Sequence, residues 1–513
     1  MLDMLKNRIN LNFTRFSIII SVLTFLLFHY SFYAFVFKNH SLNSFGDIAF
    51  IISLMIAMLV ANFFIVYLIF YLSVYFGKFL FSLTFILSAI AVYFVNTYGV
   101  IVDESMMGNV VNTNFQESSS FFSFKFVIYI LFLGVLPAVF ITRSKIKKPP
   151  LKRFLITSSL SLLFLIVLVF LNAPNWLWID KNSKTLGGLA MPWSYSVNLS
   201  LLFVHKAQDN KKEIRLPDAT IADTGKSVVV LVIGESSRSA NFSLYGYNKN
   251  TNPLLSQTPG VHAFKAVSSA TYTTAGVKSI LEYKNTNKLY EILPNYLYRN
   301  GACVIWRTSN WGQPPLHIKN YKTDQQLKVA CKGEDCNYDG VLLTNLEKEI
   351  LACKENKVLV VLHTITSHGP LYSQKYPPKF GTFQPVCNSV ELGNCSQEEL
   401  VNAYNNSIVY TDFLLHQIIE ELKKLKDYKS TMIFVSDHGE SLGENNLYMH
   451  GLPISMAPKE QYEIPFIVWL SGNAERLKPK PDEVLSQYHV FHSVLHFLGF
   501  KSPVYDKALD IFQ

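Results

Sequence analysis

Acids, imidazoles and hydroxyls crowd a few short stretches of this chain. In KSTMIFVSDHGESLGENNLYMHG, residues 429–451, an apolar run ends abruptly at Asp437 and His438, and His450 closes the stretch. An adjacent carboxylate and imidazole offer a hard oxygen and a borderline nitrogen, a combination that suits zinc or manganese. A second apolar run, SVVVLVIG (227–234), leads straight into Glu235, and LVVLHTITSHGP delivers His363 and His368 in the same way. Between them AVSSATYTTAG (266–276) supplies Ser268, Ser269, Thr271, Thr273 and Thr274. A lone Asp-His pair is most often a polar surface loop, but several apolar runs that each end in a carboxylate or imidazole form a set. A divalent metal held by Glu235, Asp437 and His438 would lower the pKa of a coordinated alcohol and make an alkoxide available near neutral pH. His368 and His450 would hold other oxygens of a phosphoryl group or protonate a leaving group. This is equipment for phosphoryl or sulfuryl transfer through a covalent intermediate, and the residues alone leave open which hydroxyl attacks.

Such residues need a scaffold that brings them together. From Lys226 onward strand-like runs alternate with helical ones, the pattern of a mainly parallel α/β sheet covered by helices on both faces. Strands are predicted over 227–234, 302–308, 357–364, 431–437 and 464–470, and open sheets of this kind bind ligands at the strands' carboxyl ends. A helix is predicted over 397–425, opened by Ser396 with Glu399 three residues later as a capping box. A second, over 487–497, carries His489, His492 and His496, which read as helix-face residues rather than ligands. The six cysteines, an even number all beyond residue 300, read as disulfides in an oxidising compartment. Cys331 with Cys336 and Cys387 with Cys395 would close small loops, which leaves Cys303 with Cys353 by elimination. No pair of CxxC motifs supports zinc binding by these cysteines instead.

The amino-terminal part is of a different kind. At 50% hydrophobic and only 16% charged over 513 residues, the chain is too apolar for an ordinary soluble protein. Nearly all the long uncharged runs lie in the first 172 residues, and five are long enough to cross a bilayer, which takes about 20 apolar residues. They centre on 16–37, 47–70, 79–95, 126–141 and 154–171. The net charge of +9 is not read as nucleic-acid binding, because basic residues cluster beside these spans. Lys6, Arg8 and Arg15 precede the first, Lys78 separates the second and third, and Arg143, Lys145, Lys147, Lys148, Lys152 and Arg153 separate the fourth and fifth. All fall on one side of a five-span weave, which the positive-inside rule makes cytoplasmic. The remainder of the chain then lies outside, and the first span reads as a retained signal anchor. In the outward loop between spans three and four, Asn109, Thr113 and Glu117 recur every four residues and would share one helix face. Residues 173–205, with Trp176, Trp178 and Trp193, read as an interfacial segment. The expected organisation is a five-helix transmembrane domain over 1–172, an interfacial linker over 173–215 and an exported catalytic domain over 216–513.

Taken together, these stretches resemble the membrane-bound phosphoethanolamine transferases over nearly the whole chain. SDHGESLGENNLYMHGLPISMAPKEQ matches the family signature at almost every fixed position, and IGESSRSANFSLYGYNKNTNP and HTITSHGPLYSQKYP match nearly as well. The resemblance implies an alkaline phosphatase and sulfatase fold for the exported domain. It implies zinc as cofactor, with Glu235, Asp437 and His438 as ligands and Thr273 as nucleophile and ligand. It further implies His368 and His450 on the phosphate side, and Asn109, Thr113, Glu117 and Asn310 as substrate contacts. The implied enzyme is a monomer of the bacterial inner membrane with its catalytic domain in the periplasm. It would move phosphoethanolamine from phosphatidylethanolamine to lipid A or another envelope glycan, weakening the attraction of cationic peptides.

The chain departs from the family pattern in two places. Where better-known members pin the nucleophile turn with a disulfide, it has Ser269 and Ser279, so the turn is either looser or held by packing. After Trp306-Arg307 the family continues Asp-Asn-Asn and, in some members, a lysine. WRTSNWGQPPLH keeps Asn310 without an obvious basic residue, His317 and Lys319 being the candidates to replace it. The Cys387 to Cys395 spacing does match a family disulfide. A sulfatase would need Cys or Ser in a C/S-x-P-x-R context, and none lies around 268–280. The alternatives are a glycerol-phosphate transferase of the same fold, and a non-catalytic membrane receptor or envelope assembly factor.

Overall fold

The computed structural model describes residues 9–40, 45–112, 121–172, 175, 178–179, 182–209, 213–286, 288–389, 392–472 and 483–512. The chain divides into two compact units, Met1–Val204 and His205–Gln513. Trp176, Thr113 and Glu117 lie outside the described residues.

In the first unit, β1 (Ile9–Asn12) leads into α1 (Phe13–Phe28), which stops at His29 and resumes as α2 (Tyr30–Asn39). The two helices meet at 60°, so the stretch expected as one straight span over 16–37 is a bent pair. Neither glycine nor proline is at the break. His29 leaves helical geometry, and its Nδ1 reaches the Thr24 carbonyl at 3.1 Å, a side chain inserted into the carbonyl ladder being a recognised cause of a sharp bend. Among the described residues, four unbroken helices are long and apolar enough to cross a membrane: α3 (Phe45–Leu72), α4 (Val74–Tyr98), α6 (Phe124–Arg143) and α7 (Leu151–Leu171). Between them, α5 (Glu104–Asn112) carries the half-buried Asn109. A short strand, β2 (Ser144–Lys147), pairs in parallel with β1 where α6 turns into α7. After α7 come α8 (Ser183–Leu189) and α9 (Trp193–Asp209). The first turns of α9 fold back on this unit, Trp193 Nε1 donating to Asn62 at 3.0 Å and Asn198 to the Val102 carbonyl at 2.9 Å.

The strands of the second unit are, in order, β3 (Thr220–Ile221), β4 (Ser227–Gly234), β5 (Val261–Val267), β6 (Cys303–Thr308), β7 (Asn320–Thr323), β8 (Lys357–His363) and β9 (Lys429–Ser436). They continue with β10 (Ser441–Leu442), β11 (Tyr448–Met449), β12 (Glu463–Leu470), β13 (Leu485–Ser486) and β14 (Phe500–Lys501). Eight of them form one sheet in the order β13-β5-β12-β9-β4-β8-β6-β7. Only β12 runs against its neighbours; every other pairing in the sheet is parallel. All five strands expected from the sequence are present. Strand β4 is buried at every residue, as a valine-rich run covered on both faces should be.

One face of the sheet packs its β4 residues Val229, Leu231 and Ile233 against α10 (Thr273–Leu281), α11 (Leu293–Arg299) and α13 (His489–Phe497). The long α12 (Gln397–Lys424) packs against β9 and opens with the reciprocal Ser396–Glu399 capping box. Three disulfides, Cys303–Cys353, Cys331–Cys336 and Cys387–Cys395, use all six cysteines in the expected pairs.

Candidate active site

Register fixes where the reactive side chains emerge. In the adjacent parallel strands β9, β4, β8 and β6, Gly234 pairs with Ser436, Ile233 with His363, and Thr308 with His363. The next residues, Glu235 and Asp437-His438, therefore leave the same sheet edge side by side, with the loops that carry Asn310 and His368 beside them. Helix α10 is brought against that edge by Gly276, where any Cβ would lie 2.2 Å from the Asp437 carbonyl oxygen. Thr273 is consequently the first residue of a helix whose free amides favour negative charge.

His438 Nδ1 lies 2.9 Å from the Gly439 carbonyl. A carbonyl only accepts, so Nδ1 carries a hydrogen and Nε2 is the atom turned toward the other residues. Around Nε2 stand Thr273 Oγ1 at 3.3 Å, Glu235 Oε1 at 3.4 Å and Asp437 Oδ2 at 3.5 Å. Thr273 Oγ1 is also 3.4 Å from Glu235 Oε2. All four residues are buried, and Asp437 Oδ2 has no hydrogen-bond partner. Ligands about 2.0–2.2 Å from a tetrahedral zinc sit roughly 3.3–3.6 Å from one another, so these spacings and this donor set fit the ion. His450 offers a further nitrogen, its ligand atom lying with those of Glu235 and His438 within 4.8 Å of one another.

The electrostatics agree. Burial alone would raise the Glu235 carboxyl, yet its contact with His438 holds it well below the usual carboxylate range. Asp437, equally desolvated and beside the Glu235 charge, is pushed well above its ordinary value. Burial would lower the His438 imidazole, but Asp437 and Glu235 outweigh it and raise it to about 10. Two buried carboxylates thus share too little positive charge, which a divalent cation would supply.

Asn310, expected as a substrate contact, donates to Glu235 Oε2 at 2.6 Å and to the Thr364 carbonyl at 3.0 Å, and so orients that carboxylate. The histidines expected on the phosphate side are adjacent: the His450 ring centroid lies 4.1 Å from that of His438 and 5.9 Å from that of His368. His363 stays beneath the site, fully buried, its nearest partner Thr308 Oγ1 at 3.4 Å; burial pushes it down to about 4, so it is neutral. His317 pairs with Glu213 at 3.4 Å.

Three supporting residues escaped the sequence reading. Ser236 adopts a left-handed φ of 50°, unusual for a residue with a Cβ. In return its amide donates to Asp437 Oδ1 at 3.1 Å and its hydroxyl to Glu235 Oε1 at 2.7 Å, tying two candidate ligands together. Glu440 accepts the Tyr372 hydroxyl and lies 2.7 Å from His450 Nδ1, fixing that ring. Gln487 replaces the missing disulfide. Its Nε2 donates to the Asp437 and Ser436 carbonyls at 2.7 and 3.0 Å, while its Oε1 accepts from the Ser269 amide at 3.1 Å. Ser279 Oγ lies 3.3 Å from the Tyr488 hydroxyl. The turn before Thr273 is thus held by this buried carboxamide together with Ser268 Oγ, which donates to the Asp437 carbonyl at 2.6 Å, and Thr271 Oγ1, which donates to the Leu452 carbonyl. Glu440 stood in the open within the DHGE run; Gln487 had no local signal.

A mainly parallel sheet with acids, imidazoles and a helix-terminal threonine at its carboxyl edge, joined to an apolar helical unit, defines a membrane-anchored α/β enzyme of the alkaline phosphatase and sulfatase type. Residues 227–500 match the Sulfatase family model, and residues 57–207 match that of phosphoethanolamine transferase EptA/EptB. The chain is 38% identical over 502 residues to phosphoethanolamine transferase EptA of Helicobacter pylori, covering 95% of this chain and 94% of that protein. It is 32% identical to phosphatidylethanolamine transferase Mcr-1 of Escherichia coli, over 79% of this chain and 80% of the other. The solved integral membrane protein lipooligosaccharide phosphoethanolamine transferase A of Neisseria meningitidis matches with a TM-score of 0.88 and 26% identity over 97% of both chains. The chain belongs to the phosphoethanolamine transferase family. It is a transferase, a membrane protein with a separate carboxy-terminal soluble domain.

Proposed function

We propose that this enzyme takes phosphoethanolamine from phosphatidylethanolamine, holds it on Thr273 and passes it to lipid A or another envelope glycan. The single observation that carries the reading is the convergence of Thr273 Oγ1, Glu235 Oε1 and Asp437 Oδ2 on His438 Nε2 at 3.3–3.5 Å. Zinc held by these four residues would supply a Lewis acid that lowers the pKa of a bound hydroxyl and neutralises phosphoryl charge. Thr273 Oγ1 forms a bond to the donor phosphorus and releases its proton to water, while the bond from phosphorus to the diacylglycerol oxygen breaks. The departing oxygen takes a proton, which His450, steadied by Glu440, and the adjacent His368 are placed to deliver. An acceptor oxygen then attacks the same phosphorus and Thr273 Oγ1 leaves, reprotonated. The amides at the start of α10 favour the negative charge that develops beside Thr273 throughout.

The donor is supported by the name of the Mcr-1 relative and a glycolipid acceptor by that of the Neisseria protein. A bacterial inner-membrane location with the soluble domain in the periplasm is supported by the basic clusters flanking the apolar helices and by the three disulfides. The test is incubation of purified protein with headgroup-labelled phosphatidylethanolamine and, in parallel, labelled phosphatidylglycerol. Label should transfer only from the first lipid and should be absent from Thr273→Ala; transfer only from the second would make the enzyme a glycerol-phosphate transferase.

A further inference from the structure

A cavity of about 1330 Å³ opens at the end of the helical unit where α3 turns into α4 and α6 into α7. Among the described residues six cations line it, Lys78, Arg143, Lys145, Lys147, Lys148 and Arg153, and no aspartate or glutamate does. Basic loops are ordinary on the cytoplasmic face of a membrane protein, but a loop kept only to set topology needs charge and no fixed shape. Here the shape is fixed. Strand β2 pairs with β1 so that Lys145 lies opposite Asn10 and Lys147 opposite Asn12, and strand alternation puts both lysines on the exposed face. Lys148 Nζ donates to the Leu72 carbonyl at 3.1 Å and lies 5.7 Å from the Tyr71 ring centroid; Lys78 Nζ donates to the Thr142 carbonyl at 2.9 Å. These two cations are anchored on helix-end carbonyls, which leaves their charge in place.

Holding six like charges around one cavity is costly unless an anion enters it. The surroundings say which kind. Tyr75, which lines the cavity, and its chain neighbours Leu72, Phe76 and Phe79 are exposed by 88, 69, 55 and 67%. A ligand that is anionic at its head and apolar along its stem satisfies both parts, and basic pockets between membrane helices take lipid headgroups in this way. We propose that this cavity binds the phosphate headgroup of an anionic glycerophospholipid, such as phosphatidylglycerol or cardiolipin, from the leaflet it faces. The proposal rests on the reading of the first unit as a membrane bundle and not on the chemistry at Thr273.

Full-length protein in phosphatidylcholine nanodiscs, with and without added cardiolipin, tests this by native mass spectrometry of the lipid retained. The pair Lys145→Gln/Lys147→Gln should retain cardiolipin about thirtyfold more weakly than wild type. The control pair Arg15→Gln/Lys152→Gln removes the same charge from exposed residues that do not line the cavity and should stay within about threefold of wild type, the smaller effect of screened surface charge. Lys145→Arg/Lys147→Arg should restore retention. Equal losses in the two glutamine pairs, no loss in either, failure of the arginine pair to restore binding, or displacement of the lipid by soluble glycerol 3-phosphate would each overturn the proposal.

Discussion

Two histidine-rich regions of the second unit look alike in sequence and differ in what their nitrogens face. On α13 the rings are satisfied locally. His492 Nε2 lies 2.7 Å from the Tyr283 carbonyl, and its Nδ1 accepts the Asp506 amide at 3.0 Å. His489 Nδ1 lies 3.0 Å from both the amide and the carbonyl of Ser486, and His496 pairs with Asp510, which also accepts the Tyr505 hydroxyl at 2.5 Å. Each ring stitches the helix to a neighbouring segment. At the carboxyl edge of the sheet the arrangement is the reverse: His438 spends Nδ1 on a carbonyl and turns Nε2 toward two carboxylates and a hydroxyl. Two carboxylates and a hydroxyl converge on one imidazole nitrogen, an arrangement that a metal ion would satisfy at all four atoms. Converging carboxylate, hydroxyl and imidazole groups, more than the number of histidines, mark the candidate metal site.

Substitutions should separate the two regions sharply. Asp437→Asn or His438→Ala should strip bound zinc and lower transfer by well over 100-fold, more than the loss of an outer-sphere partner costs. His492→Ala should keep its zinc and its transfer rate while costing about 1–3 kcal/mol of stability, the price of a buried carbonyl left unpaired. Metal content by plasma emission spectroscopy and thermal melts of the same preparations check both; zinc loss in His492→Ala would erase the distinction.

A smaller effect is expected one layer out. Gln487→Ala removes the carboxamide between the Ser269 amide and the Asp437 carbonyl, so Thr273 should be poorly held and transfer should fall about 10- to 100-fold with zinc still bound. Unchanged kinetics would mean that packing alone fixes the turn.

The smallest effect is a pH dependence. Glu282, just past the end of α10, is desolvated, and that burial outweighs the nearby Lys278 and lifts its carboxyl to about 7. A folded value above the unfolded one means that folding takes up a proton, so the stability this group allows is full below about 4.5 and is lost as pH rises through about 7. Glu282→Gln should therefore melt with wild type at pH 5 and a few degrees above it at pH 8.5. Equal melting temperatures at both pH values would show that the carboxyl is better solvated than its burial implies.

Much of the site was legible because its strands are unusually plain. Uninterrupted apolar runs in β4, β8 and β9 announce themselves, and the residue that ends each run stands out. Strand β5, next to the short edge strand β13, did not, since five of the seven residues of VHAFKAV are exposed or partly exposed and it carries His262 and Lys265. The bend at His29 was hidden because hydropathy continues across it and the cause is one ring reaching one carbonyl. Thr273 was singled out from its neighbouring hydroxyls by family resemblance alone; its spacing from His438 depends on a helix meeting a strand end 165 residues away. Gln487 lies 218 residues from the turn it clamps, and an isolated glutamine gives no pattern from which that contact follows.

The central claim is that Thr273 carries the phosphoethanolamine group during turnover. Purified full-length protein incubated with headgroup-labelled phosphatidylethanolamine, quenched and mapped by peptide mass spectrometry, should carry the label on the peptide containing Thr273 and nowhere else, with none in Thr273→Ala. Label on another residue, or label retained by Thr273→Ala, would contradict the account.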